Sequence, residues 1–512
     1  MPYKKYNKFL VVSIAMIIVS LCCFFYAMIS SPIVQYFFLF IIILIISLLG
    51  ITSYSISYQK GKLDILELPV WYSIWVTLSV AFFGFFGFFN NRALNLINYN
   101  CGILPKGLWI IITGILGMWI GYGIVALKTN RFSYTQSSFA ERSVKNNVFP
   151  FVVMYGVICI LRIWRIYNIG ISYGCALGFG VESVPAWNQL TIYISEFSLV
   201  IVAFVAFLSF SRKLKFVYLW IIIFIELLFI INSGFYKSIL WLGLTVYGAK
   251  YYSGYRFHIR TEKTKAKVFL YLAITAILFL FTCPIVETFR KAVLWGSVDI
   301  HNLKSIFYGI IEAYKNSWGS SISKSFSIIW EKITGRQSGI EATLSIIYDT
   351  TPSVIPYGSI KELLIFPVYL IPRFIWKSKP ILSSYGLYIY HYYLNAAENV
   401  YSWAGTTMFG ELYIHGGLIV VLLGSIACGF FMGLLYIGLV VRGMLKHNLK
   451  YLLLYLGLAL PALDPSTVTG LITGTIHRMI IYSILLWFLF KIGKIKLGSI
   501  KTYAHPSRYT NL

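Results

Sequence analysis

Charge is scarce in this 512-residue sequence, and negative charge is the scarcest. Only 12% of the residues are charged, with 17 Asp and Glu against 43 Lys and Arg, whereas 58% are hydrophobic. Soluble globular domains carry about a quarter charged residues. The shortage of charge excludes a soluble domain, and the excess of apolar residues predicts an all-α polytopic membrane protein.

The motifs of most metal-dependent and nucleotide-dependent enzymes are also missing. The sequence contains no Cys-x-x-Cys, no His-Glu-x-x-His and no Walker loop. It lacks an Asp-x-Asp pair, which metal-assisted enzymes use with nucleotide sugars. Five of the seven cysteines lie in apolar runs, so no disulfide framework is indicated. We therefore expect no metal and no cofactor.

A nucleic-acid partner is not expected either, although the net charge is +26. The cations fall in short runs between apolar segments and do not form a basic face with interleaved polar residues. This pattern is typical of membrane topology.

Twelve apolar runs are long enough, or nearly long enough, to cross a bilayer as helices. They cover residues 9–29, 33–57, 69–89, 107–127, 149–167, 188–210, 216–233, 236–250, 268–286, 412–441, 451–464 and 471–490. The chain thus divides into a nine-helix membrane region (1–286), a long segment (287–411), three further spans (412–490) and a basic tail (491–512).

The positions of Lys and Arg predict the orientation, because short cytoplasmic loops carry the excess of these residues. Placing the N-terminus with Lys4, Lys5 and Lys8 in the cytoplasm also puts the other strongly basic loops and the tail there. Both termini are then cytoplasmic, and residues 287–411 lie outside.

The long outer segment is chemically richer than the rest of the chain. It holds nine acidic and eleven basic residues, and connections of this length usually bind or catalyse. The apolar spacing from Trp318 to Ile333 predicts a helix in the membrane interface. Capping boxes are predicted at Ser338-x-x-Glu341 and Ser359-x-x-Glu362, and 363–371 is expected to enter the outer leaflet and turn back.

The run IPRFIWKSKP (371–380) carries Arg373, Lys377 and Lys379 at this predicted surface. These cations either anchor the chain among lipid headgroups or bind a phosphate-bearing substrate. Further cations are expected at the same end of the molecule: Arg162, Arg165, Lys237, Arg290, Arg336 and Arg478, the last beside His477.

A second motif, GELYIHGG (410–417), begins about thirty residues after the cationic run. Glu411 and His415 are one helical turn apart and are predicted to share a face. Counting back from the cytoplasmic end of this span places Gly416 and Gly417 near its outer limit.

The two motifs together resemble the signature of Wzy-type oligosaccharide repeat-unit polymerases of bacterial O-antigen and exopolysaccharide synthesis. The run NSGFYK (232–237) is similar to a Gly-containing turn of that family, with Lys237 where Arg is often found. The resemblance implies a C-type glycosyltransferase-like membrane fold in the bacterial cytoplasmic membrane.

The resemblance also implies a reaction. A growing glycan would pass from undecaprenyl diphosphate to an incoming lipid-linked repeat unit, without metal, with membrane lipids, a chain-length regulator and a flippase as candidate partners. Arg373 and Arg336 would stabilise the diphosphate leaving group, and Glu411 or His415 would act as base. Substrate binding would fall to Lys377, Lys379, Arg290, Glu341, Arg162, Arg165, Lys237, Arg478 and His477.

Two other functions stay open at this point. An O-antigen ligase would share the fold and the leaving group and differ in its acceptor. A lipid-linked oligosaccharide flippase would be equally basic and polytopic, but should show two similar halves and charges through the middle of the membrane.

The predicted topology can be tested directly with cysteine labelling. A cysteine introduced at Ser320 or Ser383 should react with a membrane-impermeant thiol reagent in cells whose outer barrier has been opened, because 287–411 lies outside. Labelling that occurs only after lysis of the cytoplasmic membrane would reverse the orientation.

Overall fold

The computed structural model describes most of the chain. Described are residues 3–59, 63–89, 98–129, 148–169, 186–233, 237–253, 302–318, 322–364, 366–371, 388–395, 406–445, 448–462 and 467–493, with Leu94, Trp376 and short pieces between 284 and 299. For some helical residues only the backbone is described.

The described part is helical, without a strand. Its main helices are α1 (Tyr3–Met28), α2 (Pro32–Tyr54), α3 (Leu68–Phe88, with π and 3-10 turns), α4 (Leu104–Thr129), α5 (Phe149–Ile169), α6 (Ala186–Glu196), α7 (Ser198–Phe210), α8 (Phe216–Ser233), α9 (Lys237–Tyr252), α10 (Leu303–Trp318), α11 (Ile322–Thr350), α12 (Ile360–Leu364), α13 (Phe366–Leu370), α14 (Met408–Ile414), α15 (Gly417–Leu435), α16 (Leu449–Ala462) and α17 (Val468–Ile492). Shorter turns cover Ile56–Gln59, Cys101–Ile103, Ile389–Tyr393, Tyr436–Val441 and Arg442–Leu445.

Helices account for eleven of the twelve predicted apolar runs, and the run 268–286 lies mostly outside the described residues. Lipid offers backbone groups no hydrogen-bond partner, so long apolar runs fold as helices. Among the described residues, seven helical segments are long and apolar enough to cross a membrane: Pro32–Tyr54, Leu68–Phe88, Cys101–Lys128, Phe149–Ile166, Leu190–Phe210, Gly417–Val441 and Gly470–Ile492. The chain is a helical membrane protein, and the number of twelve spans stays a prediction.

The helix α4 lies at the centre of the bundle and packs against α2, α11 and α15. Its contact with α15 is lined by two pairs of glycines four residues apart, Gly117 and Gly121 on α4 and Gly429 and Gly433 on α15. A Cβ atom at Gly121 would overlap the carbonyl oxygen of Ile426, and one at Gly429 would overlap that of Met118. Backbone therefore contacts backbone, as small residues allow between membrane helices.

The helix α11 differs from the sequence prediction. It runs without interruption from Ile322 to Thr350, so no helix begins at Ser338 and the capping box predicted there is wrong. Its last turns enter the core, where Ala342, Leu344 and Ile346 are fully buried. Gly107 of α4 lies directly against the backbone of this stretch, which explains why α11 can approach so closely.

Two other sequence predictions are confirmed, the start of a helix at Ser359 and the start of the long span. The helix α12 begins directly after Ser359, whose Oγ accepts a hydrogen bond from the backbone N–H of Lys361 at 3.3 Å. The long span begins at Gly417, as predicted. Gly417 has a φ of +68°, which a side chain would strain, and a Cβ there would meet the hydroxyl of Tyr357.

Replacement of a contact glycine tests the packing of α4 on α15. We expect Gly121→Ala to lower stability by about 1–3 kcal/mol, because the added methyl group forces the two backbones apart. Gly156→Ala is the matched control, since a Cβ at Gly156 of α5 meets nothing within 4 Å. Melting curves of the two variants in detergent should differ clearly, and equal melting temperatures would contradict the packing described.

Candidate functional site

A buried ion pair joins α5 to α8 beside the break between α6 and α7. Nη1 of Arg162 donates to both carboxylate oxygens of Glu226, at 2.9 and 3.0 Å. Nη2 donates to the carbonyl of Ser195 and the hydroxyl of Ser198, at 2.8 and 2.7 Å. Arg162 is 6% exposed and Glu226 2%. The terminal N–H groups of Arg162 thus bind protein acceptors.

A second ion pair lies directly before the same helix break, at the end of α6. Nε of Arg478, on α17, donates to Glu196 at 2.8 Å, and Glu196 is the last residue of α6. The guanidinium also lies over the ring of Tyr193, 5.2 Å from its centroid. Since Ser195, Glu196 and Ser198 are nearly consecutive, one break in the chain holds both arginines.

The two arginines differ in what their terminal nitrogens do. Among the described residues, Nη1 and Nη2 of Arg478 have no protein acceptor, and the side chain is 16% exposed. A Cβ at Gly474, one turn earlier on α17, would lie 2.9 Å from Nη1. The absence of a side chain at Gly474 therefore makes room for the Arg478 guanidinium itself, whose two terminal nitrogens have the parallel N–H geometry that binds oxyanions.

His477 connects this region to the cationic run. Its Nε2 lies 3.1 Å from the carbonyl oxygen of Leu370, the last residue of α13, and its Nδ1 lies 3.4 Å from the hydroxyl of Tyr193. The helix α13 packs against α17. The chain thus enters the run 371–380 beside His477 and Arg478.

Arg165 is buried one turn after Arg162 on α5, at 2% exposure. We call Arg162, Arg165 and Arg478, together with Glu196, Glu226 and His477, the arginine cluster. Four of these six residues, Arg162, Arg165, His477 and Arg478, were predicted from the sequence. Arg162, His477 and Arg478 contact residues at or next to the helix break.

Glu411 and His415 point to different neighbours, although they are one turn apart. Oε2 of Glu411 accepts a hydrogen bond from the backbone N–H of Val468, the first residue of α17. A carboxylate is favourable at this position because the N-terminal end of a helix carries partial positive charge. Ten residues separate Val468 from Arg478, about 15 Å along the axis of α17.

His415 lies against the segment before α12. Its ring contacts the position where a Cβ of Gly358 would be, and the backbone N–H of Gly358 donates to the carbonyl of Ile414 at 2.9 Å. Burial lowers the pKa of His415, an effect that the nearby carboxylate of Glu362 and hydrogen bonds with Ser359 and Gly358 partly offset. The uncharged form of the imidazole is therefore favoured, and its Nδ1 lies against Gly358.

Glu341 is fully buried in α11, where the sequence predicted a substrate contact. Its Oε1 accepts a hydrogen bond from the hydroxyl of Ser345 at 2.9 Å, and Oε2 has no partner among the described residues. Burial raises the pKa of Glu341 well above its usual value. Burial therefore favours the uncharged carboxylic acid form of this side chain, which packs between α11 and Gly84 of α3.

The remaining predicted residues lie at or beyond the edge of the description. Arg336 is in α11 and Lys237 begins α9, but only their backbones are described. Arg290, Arg373, Lys377 and Lys379 lie outside the described residues. Within the described part of the chain, no group of three or more His, Cys, Asp or Glu side chains could hold a metal ion.

The sequence analysis missed Glu196 and Glu226, the acidic partners of the arginines. Glu226 stands alone in the run FVYLWIIIFIELLFIINS of α8. A single carboxylate in an apolar span is itself a signal, because it needs a nearby cation or a polar cavity. The carboxylates in the apolar runs could therefore have been recognised as residues that need a cation, although the sequence does not say which arginine pairs with which.

A second polar cluster, also missed, lies at the far end of α15 from His415. Asp64 accepts hydrogen bonds from the hydroxyls of Tyr252 and Tyr436, at 2.6 and 3.0 Å. Glu67 accepts hydrogen bonds from Ser55, Ser57 and Tyr122. Burial raises the pKa of Asp64 to about 6. The nineteen residues of α15 put about 28 Å between the two ends.

Comparison with known proteins gives a family but no function. Residues 161–446 match DUF8712, which is described as a domain of unknown function. The match covers more than half of the chain, so the protein belongs to this family. No curated protein and no solved structure matches the chain. The matched region includes Arg162, Glu196, Glu226 and Glu411, whereas α17 with Arg478 follows it.

Double substitution tests whether the Arg162–Glu226 pair serves structure alone. Arg162→Met should destabilise the protein by about 3–5 kcal/mol, because it leaves a buried carboxylate without its cation. Arg162→Met combined with Glu226→Met should recover most of that loss, since well-packed apolar residues replace buried pairs at little cost. Thermal unfolding in detergent measures both effects. A double variant no more stable than the single one would contradict the pairing.

Proposed function

We propose that the protein is a metal-independent oligosaccharide repeat-unit polymerase of a bacterial cytoplasmic membrane, multi-pass with both termini in the cytoplasm and with a C-type glycosyltransferase-like fold. It transfers a growing glycan from undecaprenyl diphosphate to the next lipid-linked repeat unit. The observation that carries the proposal is the position of Arg478, with two terminal nitrogens without a described protein acceptor, beside the entry to PRFIWKSKP.

The chemistry of the leaving group accounts for these residues. Breaking a glycosyl diphosphate bond develops negative charge on the phosphate oxygens, and fixed guanidinium groups stabilise that charge. In a site of low dielectric constant this stabilisation is stronger than in water. Arg478 and Arg373 serve as the diphosphate ligands in this proposal, with Lys377 and Lys379 as additional point charges.

Arg162 has a different role from Arg478. Its terminal N–H groups are bound to Glu226, Ser195 and Ser198. It therefore positions the helix break that carries Glu196, and Glu196 in turn orients Arg478. Arg162 is a positioning residue in this proposal rather than a substrate ligand.

The acceptor hydroxyl needs a base, and two residues compete for this role. The lowered pKa of His415 keeps its imidazole in the proton-accepting form. The carboxylate of Glu411 can also accept a proton, but its Oε2 accepts a hydrogen bond from the backbone N–H of Val468 at the N-terminus of α17. The structure supports His415 as the better candidate of the two.

The alternative from a different class is a lipid-linked oligosaccharide flippase. Buried charge inside spanning helices favours it, because such residues often mark a transport path. The pairs Arg162–Glu226 and Arg478–Glu196 are charges of this kind. An O-antigen ligase shares the leaving group with the polymerase and is separated from it only by the acceptor.

Purified protein in vesicles with one synthetic undecaprenyl-diphosphate-linked repeat unit distinguishes these functions. A ladder of glycan products that persists in excess EDTA supports the polymerase. Product that forms only when lipid A is added indicates a ligase, and translocation of the unit without product indicates a flippase. A ladder that is lost in EDTA and returns only with Mg²⁺ or Mn²⁺ contradicts the cationic mechanism.

Lysine substitution tests the diphosphate ligands. Arg478→Lys and Arg373→Lys keep the charge but lose the planar fork, so each should lower turnover by about a hundredfold, on the order of 3 kcal/mol. Arg442→Lys is the matched control. Arg442 lies in the short helix Arg442–Leu445, which follows the C-terminal end of α15, whereas His415 lies at the N-terminal end of α15. Initial rates are compared at equal amounts of folded protein.

If Arg373→Lys retains normal turnover, the run PRFIWKSKP anchors the chain among headgroups and does not bind the substrate. Normal turnover of Arg478→Lys would likewise remove Arg478 from the site. Both results together would leave the proposal without its diphosphate ligands.

A further inference from the structure

The helix α10 lies beside the ends of two membrane-spanning helices. One face of α10, formed by Ile306, Ile310 and Ala313, packs into a small apolar cluster with Ile166 and Phe229. Ile166 lies in the last turn of α5 (Phe149–Ile169), and Phe229 lies about one turn before the end of α8 (Phe216–Ser233). Two spans thus independently place α10 at the level where their apolar segments end.

The remaining surface of α10 is divided into three stripes, each with the spacing of one helix face. Phe307, Ile311 and Tyr314 form an apolar stripe, and they are 65%, 36% and 46% exposed. Lys304, Tyr308 and Lys315 form the next stripe around the helix, and Ser305, Glu312 and Asn316 form the third.

The order of these stripes matches the layers of a bilayer surface. The lysine stripe lies between the apolar stripe and the polar stripe, because each stripe is offset by about a quarter turn from the next. Interfacial helices have this arrangement, with apolar residues among acyl chains and cations at the headgroup phosphates. A helix in water would gain nothing from exposing Phe307, Ile311 and Tyr314 together.

The helix α5 also exposes apolar side chains in its second half. Ile160 and Ile163, in the last turns of the same span, are 69% and 47% exposed. Exposed aliphatic residues on a spanning helix face acyl chains. The helix α10 thus packs through Ile166 on a helix whose exposed side chains are apolar.

We propose that α10 binds the surface of the lipid bilayer and lies along it. Phe307, Ile311 and Tyr314 enter the acyl layer, Lys304 and Lys315 contact the phosphates of anionic lipids, and Glu312 and Asn316 remain in water. This proposal does not depend on the enzymatic activity, because the lipid surface is present whatever the protein transfers.

Spin labels on the full-length chain measure the depth of each stripe. The seven native cysteines are replaced, single cysteines are introduced as Ile311→Cys and Asn316→Cys, and the protein is reconstituted into phosphatidylcholine vesicles containing phosphatidylglycerol. Oxygen, which dissolves in acyl chains, and a water-soluble nickel complex then relax each label. Ile160→Cys provides the acyl-chain reference.

The ratio of oxygen to nickel relaxation should be severalfold higher at position 311 than at position 316, and close to the value at 160. Similar low ratios at 311 and 316 would mean that α10 stands in water, or awaits a protein partner, and would overturn the proposal. The pair Tyr314→Cys and Glu312→Cys repeats the comparison on the same stripes if either first variant fails to fold.

The lysines are tested separately in the Ile311→Cys background. Phosphatidylglycerol should deepen the label relative to phosphatidylcholine alone, and Lys304→Gln with Lys315→Gln should remove that difference. An equal response of both proteins to phosphatidylglycerol would overturn the assignment of the lysines to anionic headgroups.

Discussion

A charged side chain inside a membrane protein needs an opposite charge beside it, and this constraint organises half of the bundle. Moving a single charge out of water costs several kcal/mol even after relaxation. Arg162 and Arg478 are therefore held by Glu226 and Glu196. These contacts hold α5, α8 and α17 around the break at Phe197, where Arg162 binds Glu226 and the carbonyl of Ser195 and Arg478 binds Glu196.

The other half of the bundle is held by a different interaction. Glycines let α4 and α15 approach until their backbones touch, and α11 packs onto the same helix. Dispersion contacts between close backbones contribute to the stability there, and an ion pair between Lys106 of α4 and Asp349 of α11 joins the two helices near their ends. The two halves meet where Glu411 of α14 binds the start of α17 and where α16 packs against α7 and α17. The proposed site lies along this boundary, which is a position where a substrate can contact rigid groups of both halves.

The sequence predicted the helices well and the site only in part. An apolar run of about twenty residues in lipid satisfies its backbone hydrogen bonds by folding as an α-helix. The helices and the start of the span at Gly417 could therefore be predicted from the sequence. Arg478 could be recognised because a charge in a span is unusual. The pairing of Arg478 with Glu196 could not, since it depends on which helices become neighbours over 282 residues of separation.

The burial of α11 was missed for a related reason. Its last turns, with Glu341, Thr343, Ser345 and Asp349 among aliphatic residues, have the composition of a surface helix. Their place in the core follows from the absence of side chains at Gly84 and Gly107 on other helices. The sequence of α11 alone therefore does not show that its last turns are buried, because their burial depends on glycines of other helices.

The position of Arg478 in the final helix has a consequence for biogenesis. Glu196 enters the membrane long before its partner is made, because at about 5–20 residues per second the intervening chain takes roughly 15–55 s to synthesise. During that time the carboxylate of Glu196 and that of Glu411 lack the contacts that α17 later provides. The helix α17 therefore completes the charge balance of Glu196, and the contacts around the break at Phe197 form only after α17 enters the membrane.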